Sequence, residues 1–225
     1  MQNKTYIISF DLDDTLYDNT PVIIHAFKEL YEYMVDTYSG FERHFDFQGF
    51  VEYARLVHKA NPHVFDFSLV RKMHIKSALD KAEFVHGDID EAYEVFLDAR
   101  QNVELFEETL PTLTSLQQDY QLISVSNGNA LPDRIGLSGI FSASFNPTNC
   151  GHAKPDPNMY LTVCEKMNIK PSQLIHIGDC LRNDYHAAVK AGCHAIWFNR
   201  KKSTSDIQQQ VSRLQQLTAV IPTLT

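Results

Sequence analysis

The segment Tyr6-Ile7-Ile8-Ser9-Phe10-Asp11-Leu12-Asp13-Asp14-Thr15-Leu16 decides how the rest of the chain is read. Residues 5–10 have the length and the β-branched and aromatic content of a buried strand. The chain then delivers three carboxylates within four residues, Asp11, Asp13 and Asp14. Carboxylates gathered at the end of a buried strand lose hydration and repel one another unless a cation neutralises them. In open α/β sheets, the carboxyl ends of the strands are where ligands bind. Hard oxygen donors of this kind suit Mg2+. A calcium loop does not fit, because Leu16 holds the position of the turn glycine and Val22 that of the closing glutamate.

Outward from this segment, apolar runs of the same kind recur at 122–125, 174–177 and 195–198, and helical patterns separate them. Leu110, Leu113 and Leu116 share one helix face. Tyr160, Leu161, Cys164 and Met167 share another, behind Asp156 as N-cap and Pro157 as first helical residue. Ala187, Ala188 and Ala191 form a small-residue face that ends at Gly192. Ile207, Val211, Leu214 and Leu217 predict one last amphipathic helix. Alternating strands and helices predict an α/β fold: a Rossmann-like parallel sheet with helices on both faces.

Residues 17–105 differ in texture. Thr20-Pro21 signals a helix start, and Ile24, Phe27, Tyr31, Met34 and Tyr38 follow at helical spacing. Phe47, Phe50, Val51 and Ala54 repeat the pattern, and Asp88 with Glu91 resembles a capping box. This stretch holds 15 of the 25 aromatic residues. Rings at such spacing usually fill a bundle core; the sharper reading is that some line a cleft for a flat ligand. The expected organisation is a core of 1–16 and 106–225 with a small all-helical domain, 17–105, inserted after the first strand.

Composition narrows the function. The 225 residues are 44% hydrophobic and carry a net charge of −8, which supports a folded core and disfavours nucleic acid or an anionic membrane as partner. No stretch has the apolar length of a membrane span, and Asp11 interrupts the N-terminal run before a signal sequence could form. The four cysteines form no C-x-x-C pair, so reduced thiols in a cytoplasmic protein are the simplest expectation.

Three more features follow strands or precede a helix. Gly178-Asp179-Cys180-Leu181-Arg182-Asn183-Asp184 supplies carboxylates that can share a divalent ion with the first cluster. Ser126-Asn127-Gly128-Asn129 offers a hydroxyl and turn amides to a phosphate. Lys154-Pro155-Asp156-Pro157 places a cation just before a helix. Alone, each reads as a turn, a cap or a surface lysine.

Together and in this order, Asp-Leu-Asp-Asp-Thr-Leu, Ser-Asn-Gly, Lys-Pro-Asp-Pro and Gly-Asp-x-x-x-Asn-Asp resemble the four motifs of haloacid-dehalogenase-type phosphohydrolases. The resemblance covers essentially the whole chain, with the helical insertion in the place of that family's cap. It implies Asp11 as nucleophile and Asp13 as general acid and base, with its backbone carbonyl on Mg2+. It implies Ser126, Asn127 and Lys154 as the phosphate-holding set, Asp179 as a metal ligand, and Asp184 and Asn183 as its support. Dehalogenases of the superfamily lack the second aspartate, so phosphate-ester hydrolysis is favoured over carbon–halogen cleavage; a phosphomutase keeps it. The run Phe-Asp-Leu-Asp-Asp-Thr-Leu-Tyr-Asp-Asn, then Pro21-Val22-Ile23, is most similar to the bacterial subgroup that dephosphorylates FMN and 5-amino-6-(5-phospho-D-ribitylamino)uracil. Another small phosphorylated metabolite is the alternative substrate, and a non-catalytic binding module the alternative class. Asn129, Tyr17 and Asn19 are candidate substrate contacts; Arg71, Lys72 and His74 are further cap candidates that read individually as surface residues.

Overall fold

The computed structural model describes residues 6–224. Thr5, which opens the expected first strand, and the outer ends of the expected 1–16 and 106–225 segments lie outside the described residues. In chain order, β1 (Ile7–Phe10) precedes α1 (Asn19–Thr37), α2 (Phe47–Ala60), α3 (Phe67–Lys81) and α4 (Ile89–Ala99). Then come α5 (Thr109–Asp119), β2 (Gln121–Val125), β3 (Ser144–Phe145), α6 (Pro147–Cys150), α7 (Asn158–Met167), β4 (Leu174–Gly178), α8 (Ala187–Lys190), β5 (His194–Phe198), β6 (Gln210–Val211) and α9 (Leu217–Val220). The chain divides into two compact units, Met1–Asp18 with Glu104–Thr225, and Asn19–Val103. Both divisions fall two residues from the expected boundaries, because Tyr17 bridges to Asp13 and to Leu105 and stays with the first unit.

In the first unit, six parallel strands lie in the order β3-β2-β1-β4-β5-β6. β1 and β4 sit centrally and are buried throughout, as near-continuous apolar runs demand when helices cover a parallel sheet on both faces. Ile7, Ile123, Val125 and Leu174 pack against Met159, Tyr160 and Val163 of α7 and against Ala187 and Ala188 of α8. A π-helical turn, Leu181–His186, leads into α8, which ends before Gly192 in the left-handed region at φ 83°.

Several local expectations change. Residues 207–217 form no single helix. Gln210–Val211 instead pairs with Trp197 and Phe198 as the edge strand β6, followed by a 3-10 turn, Leu214–Gln216, and α9. Tertiary pairing overrides the helical spacing here: Trp197 N donates to Gln209 O at 2.9 Å and Asn199 N to Val211 O at 2.8 Å. On α5 the buried face is Thr109, Thr112, Leu113 and Leu116, and Leu110 is exposed. α7 begins at Asn158 with Pro157 as its N-cap, one residue later than expected, and Asp156 accepts from Asn158 N at 2.9 Å ahead of it.

The second unit is all helical. Asp46, Asp66 and Asp88 cap α2, α3 and α4, each accepting a hydrogen bond from a first-turn N–H. α1 starts at Asn19, so Pro21 lies in its first turn. Phe27, Phe41, Phe45, Phe50, Tyr93 and Phe96 share one aromatic core with Leu30, Met34 and Ile75. No helix among the described residues is long and apolar enough to cross a membrane.

Candidate active site

The carboxyl ends of β1, β2 and β4 build one cluster. Asp11 N donates to Ile177 O at 2.8 Å and carries the ladder one residue past β1. The chain then turns tightly: Leu16 N donates to Leu12 O at 2.9 Å and Asp14 takes a left-handed φ of 58°. This turn leaves Asp11 only 8% exposed. The buried Thr15 Oγ1 accepts from Asp179 N at 3.1 Å and ties the first acidic loop to the last. Trp197 Nε1 pins the second loop by donating to Asp179 O at 2.6 Å.

Asp13 faces the loop after β2. A Cβ on Gly128 would lie 2.5 Å from Asp13 Oδ2, so only glycine permits this approach. Tyr17 Oη donates to Asp13 Oδ1. Tyr17 is fully buried and its hydroxyl holds Asp13.

Lys154 is the hub. Its buried ammonium lies 2.9 Å from Asp11 Oδ1 and 2.7 Å from Asp184 Oδ1, and it donates to Val125 O at 2.9 Å. The contact with Asp11 is an ion pair without hydrogen-bond alignment, so Asp11 Oδ1 is a buried oxygen with no directed donor. Asn127 sets the lysine's place: its amide donates to Lys154 O at 2.7 Å and accepts from Lys154 N at 2.9 Å. The Asn127 side chain is therefore committed to the lysine's backbone. Ser126 Oγ accepts from Gly128 N at 3.1 Å, which leaves the hydroxyl proton to donate.

Asp184 is held from three sides. Lys154 Nζ and His176 Nε2 approach Oδ1 at 2.7 and 3.2 Å, and Cys180 N donates to Oδ2 at 2.9 Å. A Cβ on Gly178 would collide with this carboxylate. His176 Nδ1 in turn lies 2.8 Å from Ser9 Oγ. A carboxylate only accepts, so His176 carries its proton on Nε2 and Ser9 donates to Nδ1. Ser9 and His176 are supports of this cluster that the motifs did not reveal. The available signal was a serine and a histidine inside apolar central strands, which the register places side by side.

Electrostatics follow from this packing. Burial pushes the Asp11 carboxyl up to about 7; Asp184 and Asp13 add to the rise and Lys154 opposes it. Burial also raises Asp179 to about 7, with Asp184 and Asp14 contributing. Burial alone would raise Asp184, but the Lys154 and His176 donors outweigh it and hold this carboxyl well below the usual range. Burial would lower Lys154, yet Asp11 and Asp184 keep it above its ordinary value. One ammonium thus faces three carboxylates, and Asp11, Asp179 and Asp184 each offer an oxygen within 4.8 Å of the others. That surplus of hard anionic donors, with the undirected Asp11 oxygen among them, fits a divalent cation such as Mg2+.

The remaining candidates are more dispersed. Asn183 is half-buried and its backbone carbonyl accepts from Tyr160 Oη at 3.0 Å. Asn129 is half-buried two residues beyond Asn127. Asn19 opens α1 in the second unit.

The comparisons with known proteins agree on the family. Residues 7–192 match the family model described as haloacid dehalogenase-like hydrolase. The chain is 31% identical over 95% of its length and of the relative's to the 5-amino-6-(5-phospho-D-ribitylamino)uracil phosphatase YigB of Escherichia coli K12. It is 23% identical to a glyceraldehyde 3-phosphate phosphatase of Methanopyrus kandleri, over 87% of this chain and 84% of that one. Among solved structures, a 2-haloacid dehalogenase from Pseudomonas syringae superposes with a TM-score of 0.86 at 28% identity, covering 98% of this chain and 99% of that one. On motif order, fold and likeness alike, the chain belongs to the haloacid dehalogenase-like hydrolases.

Proposed function

We propose that this chain, a phosphatase of the family, is a Mg2+-dependent phosphomonoester hydrolase that works through an aspartyl-phosphate on Asp11 and acts on FMN and 5-amino-6-(5-phospho-D-ribitylamino)uracil. The observation that carries the chemistry is the Asp11 carboxylate, buried beside the Lys154 ammonium with no directed hydrogen bond to its Oδ1.

In this reading Asp11 attacks phosphorus as the bond to the leaving oxygen breaks, and Asp13 gives that oxygen its proton. Asp13 then takes a proton from the water that cleaves the aspartyl-phosphate. Tyr17 keeps Asp13 aimed during both transfers. Lys154 and Ser126 bind the transferring oxygens, where most phosphoryl-transfer catalysis arises. Mg2+, held by Asp11, Asp179, the Asp13 backbone carbonyl and Asp184 directly or through water, would neutralise charge on the phosphate. Residues 1–16 and 106–225 act as the catalytic core, and 17–105 as the cap that selects the leaving group.

The substrate assignment is supported by the name of the Escherichia coli relative and by the aromatic content of the helical unit. We place the protein in the cytoplasm, where its four thiols would stay reduced. The dehalogenase among the structural neighbours raises a second reading, carbon–halogen cleavage. Asp13 weighs against it, since a halide leaves without a proton.

Phosphate release from a panel of phosphomonoesters, with and without Mg2+ and beside Asp11→Asn, tests the proposal. FMN should stand well above sugar phosphates, and both controls should lose turnover. Broad activity would remove the substrate assignment; a wild type silent on every ester would remove the phosphomonoesterase reading.

A further inference from the structure

Arg71 is a cation without a counter-ion. It lies near the start of α3, with its guanidinium 4.0 Å from the Phe27 ring and 4.4 Å from the Phe96 ring. Nη1 approaches His74 Nδ1 at 3.4 Å, and Nε is buried with no hydrogen-bond partner. Among the described residues no carboxylate pairs with it, whereas Arg55 pairs with Glu52 and Arg200 with Glu108.

The surroundings fix the fork rather than neutralise it. Arginine only donates, so His74 accepts through Nδ1 and stays neutral. His74 is itself fully buried, 4.5 Å from the Phe50 ring. Burial draws the Arg71 guanidinium down to about 10, which still leaves it charged at neutral pH. Desolvating an unmatched cation is costly, and ring faces offset only part of that cost. The residue as a whole is half-buried, and Nε is its one nitrogen that is buried without a partner. Phe96 lies in the last turn of α4, and the unit is entered at Asn19 and left at Val103. A stacked, oriented and unpaired guanidinium suits a planar acceptor that offers two oxygens.

We propose that Arg71 is the specificity-determining cation of the helical unit, binding a planar oxygen-bearing acceptor on the alcohol half of the substrate: a carboxylate or the carbonyls of a uracil-like ring. The inference rests on the phosphomonoesterase reading above. It makes selection depend on a paired acceptor and not on ring size alone.

The test uses the full chain with Arg71→Met and Arg71→Lys, and reads kcat and KM for FMN, 2-phosphoglycolate and phenyl phosphate, whose leaving group has no such acceptor. Arg71→Met should raise KM about tenfold or more for whichever acceptor-bearing ester is best, a loss typical of one charged contact, and leave phenyl phosphate within about twofold. Arg71→Lys keeps the charge without the fork and should fall between. If Arg71→Met does not fold, a KM unchanged in Arg71→Lys overturns the proposal. So does an equal loss on phenyl phosphate, which would mark a structural role. Calorimetric binding of FMN and 2-phosphoglycolate to Asp11→Asn, with and without Arg71→Met, gives a readout without turnover. Weaker binding of either acceptor-bearing ester in the double variant supports the assignment, and unchanged binding of both defeats it. If every wild-type ester reaction is silent, the failure belongs to the phosphomonoesterase reading; if Asp11→Asn kills turnover while Arg71 variants keep wild-type selectivity, it belongs to Arg71 alone.

Discussion

Lys154 in one unit and Arg71 in the other are both held away from water, and they are treated in opposite ways. Lys154 in the α/β unit touches two carboxylates and a carbonyl. Arg71 in the helical unit touches two rings and a neutral imidazole. Around Lys154 negative charge is in excess, and it adds to the burial that pushes Asp11 and Asp179 up to about 7. Around Arg71 positive charge is unmatched. The first arrangement waits for a cation and a phosphate; the second waits for an anionic or carbonyl group. The buried histidines repeat the contrast: His176 is bonded at both nitrogens, between Ser9 and Asp184, while His74 Nε2 has no hydrogen-bond partner.

The largest effect that sharpens this comparison is expected at Lys154. Lys154→Met removes the only ammonium from between Asp11 and Asp184 and strands both carboxylates in a buried site. Turnover of the best ester should fall by about two to three orders of magnitude, the range for losing one preorganised charge on a transferring group. Steady-state kinetics beside Arg71→Met decide the ranking. If the helical-unit variant costs more in kcat than Lys154→Met, the division into a chemical cation and a recognition cation is wrong.

His176 comes next, as a positioning residue. His176→Phe removes one of the three donors on Asp184 and leaves Ser9 without its acceptor, while Lys154 and Cys180 N remain. Supports of this kind typically cost 10- to 100-fold in metal affinity. The expected outcome is about a tenfold higher Mg2+ requirement for phosphate release, with KM for the ester little changed. His176→Gln, which can still donate to Asp184, should recover part of it. A rise in ester KM with no change in the Mg2+ requirement would place His176 outside the metal-supporting network.

The sequence carried the carboxylates, Lys154 and the strands because each is dictated locally. Charged side chains right after an apolar run can only be strand ends, and they need a partner. What it carried poorly depends on distant pairing. The edge strand at Gln210 and Val211 exists because Asn199 Nδ2 reaches Gln210 Oε1 at 2.8 Å and β5 offers its open side, although Val211, Leu214 and Leu217 keep helical spacing. Asn127 reads as a turn residue by a phosphate site, yet its amide is used on the Lys154 backbone, 27 residues away. Ser9 and His176 look like strand filler until the register sets them side by side. Arg71 was legible as a cation and not as an unpaired one, since Phe27 and Phe96 reach it from two other helices.

His74 supplies the smallest of these effects, and its sign is fixed by burial. Burial first, and then the Arg71 charge, lower its imidazole to about 3 in the folded chain, against an ordinary value near 6.5. Below about pH 6.5 the unfolded chain therefore takes up a proton that the folded unit refuses. The stability that neutral His74 contributes is complete above that pH and is lost as pH falls toward 3. Between pH 7 and 5.5 the loss is about 1 kcal/mol, or a few degrees in Tm for a chain of this size. His74→Gln keeps an acceptor for Arg71 and has nothing to titrate, so its melting temperature should fall less than that of the wild type over the same interval. His176, also lowered by its burial, remains in both proteins and cancels from the difference. Parallel slopes would mean that His74 takes up a proton beside Arg71 at ordinary pH. A second positive charge would then stand beside the guanidinium, and the pocket around Arg71 would hold two unmatched cations.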